Sequence, residues 1–105
     1  MAQGDINKEI EYDKIEIVMQ WIVQVRQATK IMEEQSDGSK KELTRSFHRH
    51  VLLPFDSIKD KDGNWTHTPT DISGEDASVQ AIANAAWTDT VKAKYKTFTE
   101  SQTTP

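Results

Sequence analysis

The sequence predicts an α+β domain, a small antiparallel sheet of three or four strands followed by two short C-terminal helices. Three observations predict it. Ile15, Ile17, Met19, Trp21, Val23 and Val25 recur at every second residue, with Lys14, Glu16, Gln20, Gln24 and Arg26 interleaved. That alternation is the pattern of a half-buried strand. Asp37-Gly38 stands between two β-like runs, where both residue types tolerate the positive φ of a hairpin turn. Val79, Ile82, Ala83 and Ala86 recur at helical spacing in a segment free of Gly and Pro, the stripe by which an amphipathic helix covers a core.

The elements follow in order. Residues 1–11 are polar, with Gly4 early and only Ile6 and Ile10 as apolar anchors, and read as a flexible arm or a segment ordered on assembly. The folded domain spans residues 12–98, with its sheet over 12–54. The alternation from residue 12 to 34 is too long for one ordinary strand. A bend or bulge is therefore expected within Val18 to Trp21, although no Gly or Pro marks it. The second strand continues through Ala28, Lys30 and Met32. The third runs from Glu42 to Leu53 and is closed by Pro54. On it Leu43, Phe47, Val51 and Leu53 share a parity and are expected on the core side, with Arg45 and Arg49 at the margin.

Residues 55–72 read as a long polar loop around Lys59-Asp60-Lys61-Asp62-Gly63-Asn64, with Asp62-Gly63 offering a second small hairpin between Ile58 and Trp65. Helices occupy 73–98. Ser73 with Asp76 resembles a capping box. Glu75 and Asp76 suit the positive end of a helix dipole. Thr88 caps the second helix, with Asp89 in its first turn. Val91, Tyr95 and Phe98 fall on one face there, and Lys92, Lys94 and Lys96 lie toward its end. The stripe from Val79 to Ala86 is expected to cover the sheet face bearing Ile15, Ile17, Val23, Val25, Phe47 and Val51. Residues 99–105 read as a disordered tail.

Composition narrows the classes. At 105 residues with 35% hydrophobic content and a mean hydropathy of -0.72, the private core is thin. Either a marginal monomer or a subunit that completes its core against neighbours fits. The chain has no cysteine, which excludes disulfides, thiolate metal sites and cysteine catalysis. No apolar run approaches the roughly 20 residues of a membrane span. The first residues have neither a cationic start nor an apolar core, so no signal peptide is read there, and synthesis in the cytoplasm is expected.

The net charge of -4 is unevenly spread. Residues 1–20 carry two Lys against five acids, and 24–53 carry six Lys/Arg against four acids. Residues 56–76 carry two Lys against six acids, and 77–105 three Lys against two acids. An acidic total argues against nucleic acid as partner, since phosphate binding needs clustered cations. Alternating sectors suit oriented contacts between proteins or simple solubility.

No motif carries chemistry. His48 and His50 share one strand face, and His67 is a conceivable third imidazole, but no carboxylate pattern makes a metal site of them. Asp60, Asp62 and Asn64 suggest a calcium loop. An EF-hand needs Gly at its sixth position and Glu at its twelfth. Counted from Asp60, Gly63 is fourth and the twelfth residue is Asp71, so a solvated turn is the reading. Ser46 beside His48 lacks the rest of a nucleophilic arrangement. No Gly-x-Ser-x-Gly, Gly-rich phosphate loop or paired-carboxylate signature is present. Neither an enzyme nor a cofactor is expected. The candidate interface residues are Trp21, Arg26, Arg45, His48, Arg49, His50 and Trp65, because interfaces enrich aromatics and arginine. Trp21, with Trp87, also reads as a core anchor.

Two segments carry a resemblance. One is Ile22-Val-Gln-Val-Arg-Gln-Ala-Thr leading through Asp37-Gly38 to Ser46-Phe-His-Arg-His-Val-Leu-Leu-Pro54. The other is Asp71-Ile-Ser-Gly-Glu-Asp-Ala, followed by Val79-Gln-Ala-Ile-Ala, Ala86-Trp-Thr, Val91 and Tyr95. Together they resemble small proteins encoded among the structural genes of tailed bacteriophages. This chain departs from them in its long Ile58–Pro69 connection. The resemblance implies a virion component of tail, baseplate or neck, without catalytic residues, whose partners are other phage structural proteins and copies of itself. A transient assembly factor of the tail-chaperone kind, or a small nucleic-acid-binding regulator, are the alternatives.

Overall fold

The computed structural model describes residues 4–102. In chain order they form β1 (Ile6–Val18), β2 (Ile22–Glu34), β3 (Lys40–Leu52), β4 (Phe55–Lys59), β5 (Trp65–Pro69), α1 (Ala77–Ala86) and α2 (Asp89–Ser101). The fold is α+β, as the patterning predicts. β1, β2 and β3 form an antiparallel sheet in that order, and β4 pairs with β5 in a separate two-stranded sheet. The chain divides into two compact units. The first comprises Val25–His50 and the described residues up to Ile15. The second comprises Glu16–Gln24 and the described residues from Val51 onward.

Several boundaries differ from the sequence reading. The expected N-terminal arm is strand from Ile6 onward, and residues 1–3 lie outside the described residues. The break foreseen within Val18 to Trp21 is a complete reversal. Met19 and Gln20 turn the chain with φ of 57° and 76°, the left-handed geometry that matches the twist of a tight hairpin. Neither residue is a glycine, so the turn is held against an intrinsic cost. Between β2 and β3, Gly38 adopts φ +87°, Gln35 N–H donates to the Ser39 carbonyl, and Asp37 Oδ1 accepts from Ser39 N–H.

In the first unit the buried apolar residues are Val25 and Ala28, both on the central strand β2. Every residue from Lys40 to Arg49 on β3 is exposed. The expected core side of that strand is therefore wrong. Leu43 and Phe47 are each 46% exposed, and Val51 and Ile17 are exposed as well. Alternation identifies which side chains share a face; it does not by itself bury them, and Leu43 and Phe47 stay exposed.

The second unit holds the larger core, formed by Trp21, Val23, Phe55, Val79, Ala83, Trp87 and Tyr95. Trp21 meets Tyr95 edge-on, with ring centroids 6.0 Å apart, and Phe98 at 5.2 Å. Phe55 stacks on Tyr95 at 6.2 Å. The stretch read as a loop is mostly the β4–β5 hairpin, with Ser57 opposite His67 and Ile58 opposite Thr66. At its tip Asp60 Oδ1 accepts from the N–H groups of both Asp62 and Asn64, and Gly63 takes φ +88°.

The first helix begins later than expected. Asp71 Oδ1 accepts from Ser73 N–H, which commits Ser73 to a turn. The cap of α1 is Asp76, whose side chain accepts from Ser78 N–H. Thr88 caps α2 as predicted, accepting from Val91 N–H, with Asp89 in the first turn. α2 continues to Ser101, so Lys92, Lys94 and Lys96 sit before its last turn, and residues 99–101 are helix. The rest of the expected disordered tail includes 103–105, which lie outside the described residues. No helix among the described residues is long and apolar enough to cross a membrane.

Candidate interaction surface

The seven candidate interface residues separate into two groups. Arg26, Arg45, His48, Arg49 and His50 belong to the first unit, and Trp21 and Trp65 to the second. Trp21 is only 8% exposed. It is a core residue, and its place among interface candidates is corrected. Trp65 is half-buried and lies parallel to His67, with ring centroids 5.8 Å apart and planes 2° from parallel.

Arg26 and Arg45 are engaged within the sheet. Arg26 forms a two-pronged contact with Asp13, Nε to Oδ1 at 3.0 Å and Nη2 to Oδ2 at 2.8 Å. This planar match of guanidinium to carboxylate is the strongest ion-pair geometry available to side chains. It holds the Asp13 carboxyl below its ordinary pKa, chiefly through the Arg26 hydrogen bonds. Arg45 pairs the same way with Glu42, at 2.7 Å and 3.1 Å. Glu42 is lowered and Arg45 raised in consequence. Lys30–Glu11 at 3.0 Å and Lys40–Glu9 at 3.1 Å extend the network. The Arg45 charge also acts on Asp13, and that of Lys30 on Glu42. The sheet of the first unit thus carries a network of paired charges, in which Arg26 and Arg45 face carboxylates.

β3 is the most exposed strand of this unit. Phe47 projects between two cations, with the Arg26 guanidinium 4.5 Å and the Arg49 guanidinium 5.9 Å from its ring centroid. His48 and His50 lie with ring centroids 6.1 Å apart. Leu43, Phe47, His48 and Arg49 together present apolar and cationic groups on one exposed strand, the chemistry of a protein-binding surface. Among the described residues no group of three or more His, Cys, Asp or Glu side chains stands at metal-binding spacing.

The second unit contains a cluster that spacing did not show. His67 Nδ1 lies 2.7 Å from Ser57 Oγ, and Nε2 lies 2.7 Å from Glu100 Oε2. Pairing with a carboxylate places a proton on Nε2, and in the neutral ring Nδ1 then accepts from the Ser57 hydroxyl. The imidazole is held between Trp65 on one side and Phe55, whose centroid is 5.9 Å away. Lys96 Nζ sits 4.7 Å from the centroid of the same Phe55. These contacts fasten the β4–β5 hairpin to α2. Ser57, His67 and Glu100 are distant in sequence and meet through hairpin register and helix placement. The one local signal was the second hairpin marked by Asp62-Gly63.

Comparison with models of known protein families, with characterised proteins and with solved structures gives no match. The surface therefore has to be read from its own chemistry.

Proposed function

We propose that this chain is a structural or connector component of a tailed-phage particle, of tail, baseplate or neck, and that it works through protein–protein contact. The exposure of β3 carries the reading. A thirteen-residue strand that leaves Leu43 and Phe47 in water, beside His48 and Arg49, costs solubility unless a partner covers it. Its backbone edge and side chains suit strand addition by another protein. The phage setting rests on the resemblance of the Ile22–Pro54 and Asp71–Tyr95 segments.

Mass spectrometry of purified particles from a phage or prophage that encodes the chain tests this. Detection at many copies per particle is the expected result. Presence in the infected-cell lysate and absence from particles would overturn it and favour an assembly factor that leaves before maturation.

A further inference from the structure

We infer that the partner of the exposed β3 edge is the β1 edge of a second copy of this chain, joined in parallel and repeated head to tail. The inference rests on the contact role proposed above and names its partner.

In the order β1-β2-β3 both outer strands are edges. Each is thirteen residues long. Such edges invite pairing, and proteins blunt them with charge, most often lysine. Here the two edges carry opposite signs. β1 has two lysines against four acids, a net of -2, and β3 has four Lys/Arg against one acid, a net of +3. Like charges would keep edges apart, whereas this arrangement repels β1 from β1 and β3 from β3 and draws β1 to β3. Both strands are open to solvent over the first unit. Lys40 to Arg49 are exposed throughout, and no described residue of β1 is buried.

Geometry sets the direction. In an up-down-up sheet β1 and β3 run the same way. A neighbour in the same orientation therefore brings its β1 beside β3 in parallel. Aligning the two strands end to end sets Lys8 opposite Glu42 and Glu11 opposite Arg45, with Ile10 facing Thr44. The internal Arg45–Glu42 pair is partly solvated. Such pairs contribute little, so its members are available for exchange with Lys8 and Glu11 of the neighbour, Glu11 leaving its own partly solvated pair with Lys30. A contact between unlike edges closes into a ring if its rotation permits and otherwise extends as a filament.

The absence of native cysteine makes the test clean. Ile10→Cys and Thr44→Cys are made singly in the full chain and mixed under mild oxidation. A parallel pair lies within disulfide reach. The expected result is a disulfide between unlike variants, well above the statistical proportion, with little dimer from either alone. The double variant gives a ladder of multimers. Within one copy β2 separates the two positions by about 10 Å, beyond disulfide reach. Circular dichroism confirms that the variants fold. Dimers from Thr44→Cys alone would show an isologous contact and overturn the inference, as would failure to cross-link in every combination. A chain that fails here but is found in particles meets some other partner. A chain that ladders but is absent from particles self-assembles outside them. The two readings therefore fail separately.

Discussion

The indole Nε1–H of Trp87 donates a 2.8 Å hydrogen bond to the main-chain carbonyl of Trp21, joining residues 66 apart in sequence. Both rings are buried. The bond ties the C-terminal cap residue of α1 to a carbonyl in the turn between β1 and β2. Trp87→Phe keeps most of the apolar ring and removes the donor. It is expected to cost about 1 kcal/mol, the net worth of a typical intramolecular hydrogen bond. Urea denaturation monitored by circular dichroism measures it. A cost no larger than that of an exposed substitution would show that water replaces the indole.

The Met19-Gln20 turn predicts a gain. Both residues hold positive φ, which costs a side-chain-bearing residue roughly 1–2 kcal/mol. Replacing the pair by Asn-Gly, the sequence such turns prefer, is expected to raise stability by about 1–2 kcal/mol. A rise in thermal midpoint checks this. A fall would mean that the Met19 and Gln20 side chains contribute more than the backbone cost.

Acid exposes the Arg26–Asp13 pair. The hydrogen bonds from Arg26 lower the Asp13 pKa in the folded chain. Its stabilising contribution is therefore complete above the ordinary carboxylate pKa of about 3.9 and is lost as pH falls through the lowered folded value. Asp13→Asn is expected to destabilise the chain near neutrality and to match the parent in strong acid. Urea midpoints of the two proteins across the acid range should converge as pH falls. A constant gap would show that the effect is packing, not charge.

The helix caps separate two sequence readings. Asp76 and Thr88 accept from the first-turn N–H groups of α1 and α2. Asp76→Ala and Thr88→Ala should each cost about 1 kcal/mol. Ser73→Ala, which keeps the N–H that Asp71 accepts from, should cost clearly less than Asp76→Ala. Equal costs for Ser73 and Asp76 would restore the capping box to Ser73. Thermal unfolding of the three variants decides it.

The strands and helices were legible because their periodicity is physical. Alternation picks out Trp21, Val23 and Val25, and the helical stripe Val79 and Ala83, all removed from water, although Ile17 and Met19 of the same run are exposed. Coverage was not legible in the same way. Leu43, Phe47 and Val51 share a parity, but parity does not say whether the chain has anything to lay against them. From Ile6 onward the expected arm is an edge strand, and with only Ile6 and Ile10 as apolar anchors its start has the composition of a polar tail. Ser73 and Asp76 are both good caps, and the choice was made by the turn at Asp71. Arg26 and Arg45 are visible as interface candidates, whereas Asp13 meets Arg26 only through strand pairing, and Glu42 meets Arg45 from three residues away on the same strand. The Ser57–His67–Glu100 contact combines hairpin register with helix placement, two non-local facts.

The distribution of aromatic residues has a practical optical consequence. All three tryptophans, Trp21, Trp65 and Trp87, belong to the second unit. The described residues of the first unit carry Tyr12 and Phe47 but no tryptophan. An intrinsic-fluorescence melt is thus a recording of one unit, blind to whether the charged sheet has already come apart. A far-ultraviolet signal that falls before the indole emission shifts would reveal two transitions where fluorescence alone would record one.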